Sequence, residues 1–204
     1  MSKRLSVVFL YPYFSIKYKT KETNIELELN LDGSGKTEIN TGIGFLDHML
    51  NLWAFHGLFD LKLTCSGDLE IDAHHSTEDI GLALGSALAE AVGEKKGIFR
   101  YGHSYVPMDE ALIRAALDLS GRPEFVFSGE FTQPSIGQLD TQMINHFFKS
   151  LAISSKMTLH LSILYGINDH HKCEGMFKSM ARALRMAVES DPRRTEVVST
   201  KGSL

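Results

Sequence analysis

Apolar and polar residues alternate along two stretches of the chain that match each other. In "ETNIELELNLDGSG", starting at Glu22, the residues Ile25, Leu27, Leu29 and Leu31 fall on every second position. In "EALIRAALDLSG", starting at Glu110, Ile113, Ala115, Leu117 and Leu119 do the same. A period of two places those side chains on one face, so each stretch predicts a strand with one buried side. Turn residues follow both, Asp32-Gly33-Ser34-Gly35 and Ser120-Gly121-Arg122-Pro123, and then further strands such as "PEFVFSGEF". Each pair of strands reads as a hairpin.

The period then changes. "GFLDHMLNLWAFHG" and "DTQMINHFFKSLAISS" space their apolar residues three and four apart, as helices do, and the strands "FDLKLTCSG" and "MTLHLSILYG" come next. Long amphipathic helices close each series, "STEDIGLALGSALAEAVG" and "HKCEGMFKSMARALRMAVES", with Asp72 and with Asn168 or Asp169 placed to cap them. Each half thus reads strand, strand, helix, strand, helix. The chain is predicted to be α+β and internally duplicated, with half-repeats at 1–93 and 94–204. Such a half cannot bury both of its helices alone, so the halves should pack helix to helix with the sheets outside, as one fused domain.

Composition narrows the function. At 204 residues the chain can bury a sizeable core, and its formal charge of −4 argues against a general binder of nucleic acid or of anionic membranes. No apolar run approaches the ~20 residues that span a bilayer. Two cysteines, Cys65 and Cys173, are too few for a disulfide framework and point to a reducing, cytoplasmic compartment. The start, "MSKRLSVVFLYPYF", imitates an export signal in its basic tip and apolar run, but Pro12 and aromatic residues stand where small cleavage-site residues belong.

The candidate chemistry lies in "IDAHHSTEDI" and "INDHHKCEGM", where His74, His75 and Glu78 recur as His170, His171 and Glu174. On a helix the second histidine lies ~100° from the first and the glutamate at ~40°, between them. Neighbouring histidines therefore cannot easily share one metal, yet each can serve a different ion. His48 and His146, one on each first helix, bring the set to six histidines and two glutamates, enough for two sites of three His and one Glu. A single His-His pair would read as surface polarity; two in register read as metal ligands. Their place at helix N-termini favours the neutral, ligating imidazole. His56, His103 and His160 fall outside this pattern and read as core or surface residues, and Cys173, ~300° around the helix, reads as a packing residue.

Together with these motifs, the segments "TKET", "LDGSG", "TGIGFLDHML", "GDLEIDAHHSTEDI", "PMDEAL", "DLSGRP", "NDHHKCE", "FKSMARALR", "DPRR" and "STKG" make the chain, from about Lys19 onward, closely resemble the imidazoleglycerol-phosphate dehydratases. Residues 1–16 carry no such match. The resemblance implies a helical layer between two four-stranded sheets, a ribosomal protein S5 domain 2-like arrangement. It also implies metal ligation by His48, His74, His75, Glu78, His146, His170, His171 and Glu174, with two Mn2+ per active site; Fe2+ and Zn2+ suit the same donors. An octahedral homo-24-mer with active sites at subunit interfaces is implied too. The family's substrate is a small phosphorylated imidazole, and neither nucleic acid nor membrane is a partner.

The activity so implied is a metal-dependent lyase that dehydrates D-erythro-imidazoleglycerol phosphate to imidazole acetol phosphate in L-histidine biosynthesis, through a di-metal-bound imidazolate that expels the neighbouring hydroxyl. Glu22, matching the family's "KET" glutamate, and Glu174 are the catalytic candidates. Glu22, Arg100, Arg122, Lys178, Ser199 and Lys201 are the candidates for holding substrate and phosphate. Lys178 has a competing role, since it lies four residues after Glu174 and can pair with it. Leu52 replaces a common family Gln, and Val198 a common Pro. Two other readings use the same ligands. A di-metal hydrolase acting on a small phosphorylated substrate would need them, although Asp-rich phosphoesterase motifs are missing, and a non-catalytic protein could use the ions to join subunits.

Overall fold

A computed structural model describes residues 13–202; the apolar start up to Pro12 lies outside the described residues. In the first half, β1 (Tyr13–Lys19), β2 (Thr23–Asn30), β3 (Thr37–Asn40), α1 (Gly44–Gly57), β4 (Asp60–Gly67) and α2 (His74–Val92) follow one another. The second half repeats the order with β5 (Tyr101–Met108), β6 (Ala111–Asp118), β7 (Glu124–Ser128), α3 (Thr141–Ser155), β10 (Thr158–Tyr165) and α4 (Asp169–Val188). A two-residue-per-strand hairpin, β8 (Ser135–Ile136) and β9 (Leu139–Asp140), is inserted before α3, where Asp140 caps the helix by accepting from the Gln142 N–H. The sheets are ordered β1-β2-β4-β3 and β5-β6-β10-β7, and the four helices lie between them, as the sequence implies. No helix among the described residues is long and apolar enough to cross a membrane.

The pairing corrects one expectation. β2 and β3 do not form a hairpin, nor do β6 and β7: β3 runs parallel to β4, and β7 parallel to β10. The helix between β3 and β4 supplies the crossover that parallel neighbours require. The hairpins are β1-β2 and β5-β6. Their first strands lie outside the alternation pattern for a physical reason. β1 is an edge strand whose inward residues Phe14, Ile16 and Tyr18 are only half-buried. β5 turns Gly102 and Ser104 toward α4, and a Cβ on Gly102 would lie 1.8 Å from the Ala183 carbonyl oxygen, so close backbone approach has removed the apolar residue that would have marked the strand.

The inward faces agree with the alternation. Ile25, Leu27 and Leu29 and their counterparts Ile113, Ala115 and Leu117 are buried, and they join Trp53, Phe147, Phe148 and Phe177 in one core that spans both halves. The helices meet across the halves, α1 on α4 and α2 on α3. Both pairs run parallel: Trp53 donates its indole N–H to the Met180 sulfur, while Gly81 and Gly85 of α2 sit against the backbone of Phe147 and Leu151 in α3. The N-termini within each pair therefore lie together.

Replacing Gly102 by Ala should overpack the β5–α4 seam and cost about 1–3 kcal/mol, seen as a lower urea midpoint with an unchanged slope.

Candidate metal centre

Both His-His-x-x-Glu motifs open a helix. The Asp72 side chain accepts from the His74 N–H at 2.7 Å, and Asn168 caps α4 by accepting from the N–H groups of His170 and His171. Asp169 is buried elsewhere, where it accepts from Lys172 and from the Thr132 and Gln133 N–H groups and ties that loop to α4. One helical turn then sets the first histidine of each pair against its own glutamate: His74 Nε2 lies 3.6 Å from Glu78, and His170 Nε2 lies 3.2 Å from Glu174.

A histidine from the opposite half completes each group, because the helices pair across the halves. His146 Nε2 is 3.3 Å from Glu78, and His48 Nε2 is 3.8 Å from Glu174. The ligating atoms of His74, Glu78 and His146 lie within 4.8 Å of one another, as do those of His48, His170 and Glu174. Nitrogen and carboxylate donors at this spacing suit a divalent transition metal. The His146 ring bears this out: its Nε2 is buried and has no hydrogen-bond partner, a cost that a bound cation would relieve. A cleft of about 460 Å³ runs beside His74, between Gly42, Leu69 and Gln142.

The second histidines turn away from these groups. His75 Nδ1 meets Asp68 at 2.9 Å, and His171 Nδ1 meets Glu110 at 2.7 Å. A carboxylate on Nδ1 fixes the ring and directs Nε2 outward; at His171 that nitrogen lies 3.7 Å from Asp109. Donating to these carboxylates also raises the pKa of both imidazoles. Glu110 is held at about 2 by the Asn168 N–H first, then by His171 and the Ile167 N–H. One chain thus gathers six of the eight expected ligands into two groups and points His75 and His171 elsewhere. Asp68 and Glu110 were not among the expected residues, although Glu110 heads the stretch that matches Glu22 in the repeat.

The remaining candidates are dispersed. Glu22 is exposed in the β1–β2 turn, and its charge reaches His75, adding to the rise in that imidazole's pKa. Lys178 pairs with Glu174; burial pushes that carboxyl up, but the Lys178 contact prevails and holds it below its usual value. Arg100 is buried, bonds Asp118 through Nε at 2.6 Å and Nη2 at 2.9 Å, and donates its third contact to the Val198 carbonyl. The C-terminal segment runs beside residues 96–99, with bridges Lys96 to Val197 and Ile98 to Ser190. Ser199 is half-buried near its end, and Lys201 and Arg122 are exposed. Glu110, which holds His171, and Asp118, which holds Arg100, are eight residues apart along β6, roughly 26 Å of extended backbone.

A family model for imidazoleglycerol-phosphate dehydratase matches residues 41–184. An imidazoleglycerol-phosphate dehydratase from Acetivibrio thermocellus is 54% identical over 191 residues, covering 94% of this chain and 98% of that protein. One from Roseiflexus sp. is 55% identical, covering 93% of this chain and 96% of that protein. Among solved structures, the Staphylococcus aureus imidazoleglycerol-phosphate dehydratase superposes with a TM-score of 0.80 at 36% identity, over 87% of this chain and 99% of that chain. The Pyrococcus furiosus structure, a ligand complex, also gives 0.80 at 36% identity, over 93% of this chain and all of that chain.

If the His74–Glu78–His146 group holds a cation, purified His146→Ala protein should carry less divalent metal than wild type by elemental analysis, with far-ultraviolet circular dichroism unchanged. Equal metal content would exclude that group.

Proposed function

The chain belongs to the imidazoleglycerol-phosphate dehydratase family, and from that premise we propose that it removes water from imidazoleglycerol phosphate, giving imidazole acetol phosphate, at a site that holds two divalent cations. The observation that carries this reading is the pair of His-His-Glu groups, each drawing on both halves of the chain. His48, His170 and Glu174 would hold one cation and His74, Glu78 and His146 the other, with His75 and His171 each offering Nε2 to a cation shared with another copy. Manganese is the proposed ion. Bound there, the cations would supply Lewis acidity at the two ring nitrogens, which makes an imidazole a better electron donor toward its side chain.

The protein's own groups do the rest. As the C–O bond breaks and its electron pair leaves with the hydroxyl, Glu22, exposed in the β1–β2 turn, takes the proton from the adjacent carbon; hydroxyl and proton leave together as water, and the enol so formed relaxes to the ketone by moving its O–H proton to carbon. Glu174 stays ionised through its contact with Lys178. Arg122, Lys178, Ser199 and Lys201 grip the phosphate, and Arg100 holds the tail that carries two of them. The length of β6 between Glu110 and Asp118, roughly 26 Å, favours a site completed by neighbouring copies, in a homo-oligomer for which we propose 24 subunits with octahedral symmetry. Within each subunit the half-repeats, 1–93 and 94–204, act as one fused domain, and the enzyme works in the cytoplasm.

Incubation with the substrate should yield a ketone that keeps its phosphate; release of inorganic phosphate would favour a hydrolase instead. Glu22→Gln should retain metal and fold and lose ~10²- to 10⁴-fold in turnover, and near-normal turnover would remove Glu22 from the chemistry. Deleting residues 199–204 should raise KM strongly in steady-state assays, whereas an unchanged KM would take the tail out of the site.

A further inference from the structure

The two β-hairpins at the metal end are matched positions of the repeat, yet they are fastened in opposite ways. In the second half, the turn between β5 and β6 is held by its own carboxylate. Glu110 accepts from the Ile167 and Asn168 N–H groups at 3.0 and 2.7 Å and from the His171 ring, so both of its oxygens are engaged. In the first half the matching glutamate, Glu22, accepts no side-chain hydrogen bond among the described residues; only its backbone N–H is engaged, by the Thr20 hydroxyl at 3.1 Å.

Another group anchors that turn. Asp79, 8% exposed on α2, accepts from the hydroxyls of Thr23 and Thr20, the latter at 3.3 Å. Thr20 Oγ1 in turn accepts from the N–H groups of Glu22 and Thr23, so three residues of the turn hang on one buried carboxylate. Asp79 directly follows Glu78. A step of ~100° around the helix takes the side chain from the metal group facing α3 to the hairpin above. In the second half the position matching Asp79 is Gly175, packed against the Ile113 side chain, and a glycine has no side chain to do this work.

We propose that Asp79 is the positioning residue for Glu22: by pinning the Thr20–Thr23 turn to α2 it holds the backbone that carries Glu22 and leaves the Glu22 carboxylate uncommitted. The inference rests on the reading of Glu22 as the acid–base group, and it explains why the matched Glu110 is not a second one. A carboxylate that already accepts from two backbone N–H groups and an imidazole is tied to its own turn and to His171, whereas Glu22 accepts nothing from its own turn.

The test uses the assembled, metal-loaded enzyme and Thr23→Val, which removes the hydroxyl and keeps the shape, with Thr23→Ser as the conservative control. Thr23→Val should lower kcat by about ten- to a hundred-fold, with KM and metal content unchanged, and Thr23→Ser should restore it. Combined with Glu22→Gln, Thr23→Val should cost nothing further, because its effect passes through a group already lost. Normal kcat in Thr23→Val, or a full additional loss on top of Glu22→Gln, would overturn the role of Asp79 while leaving Glu22 in place. Normal turnover in Glu22→Gln alone would overturn the acid–base reading, and this inference with it.

Discussion

The candidate metal centre depends on each glutamate, Glu78 and Glu174, facing a histidine that belongs to the opposite half. Two independent geometric facts bring this about. The helical turn stacks each glutamate under the first histidine of its own motif, and parallel packing of α2 on α3 and α1 on α4 delivers His146 and His48 at the same height. Either alone would leave a His-Glu pair of the kind found on many helix surfaces. A buried carboxylate also needs compensation, since desolvating a charge costs several kcal/mol unless it is paired; Glu174 has Lys178 one turn on, and Glu78 is more open.

Duplication supplied two copies of one arrangement, and the copies have since been put to different uses. The second histidines keep a carboxylate on Nδ1 in both halves, but from different places: Asp68, in the loop before α2, serves His75, and Glu110, in the hairpin turn, serves His171. Using the loop acid in the first half relieves the hairpin acid of that duty. The same division appears in the backbone. The β5–β6 turn is two residues, with Asp109 in the left-handed region at φ 48°, while the β1–β2 connection is longer and leans on threonine hydroxyls.

Much of this was readable from residue order. The alternation at Ile25–Leu31 and Ile113–Leu119 marks buried faces, and the matched motifs place two histidines in the first turn of each long helix. What stayed hidden has physical causes. β5 faces α4 with Gly102 because backbone leaves no room for a side chain, so the strand carries no apolar rhythm. β3 and β7 look like hairpin partners from proximity, and only the helix that follows each one sends its neighbour back in parallel. A symmetric repeat cannot say whether His48 meets Glu78 or Glu174; the choice is made by which helix faces meet. The carboxylates behind His75 and His171 come from 7 and 61 residues away, a distance at which spacing carries no signal.

Because each ligand group straddles the two half-repeats, neither half is a smaller version of the whole. A lone half would own two donors of one cluster and one of the other, and could complete a triad only by meeting a second half. Fusion into one polypeptide turned what would be a concentration-dependent encounter into a fixed internal contact.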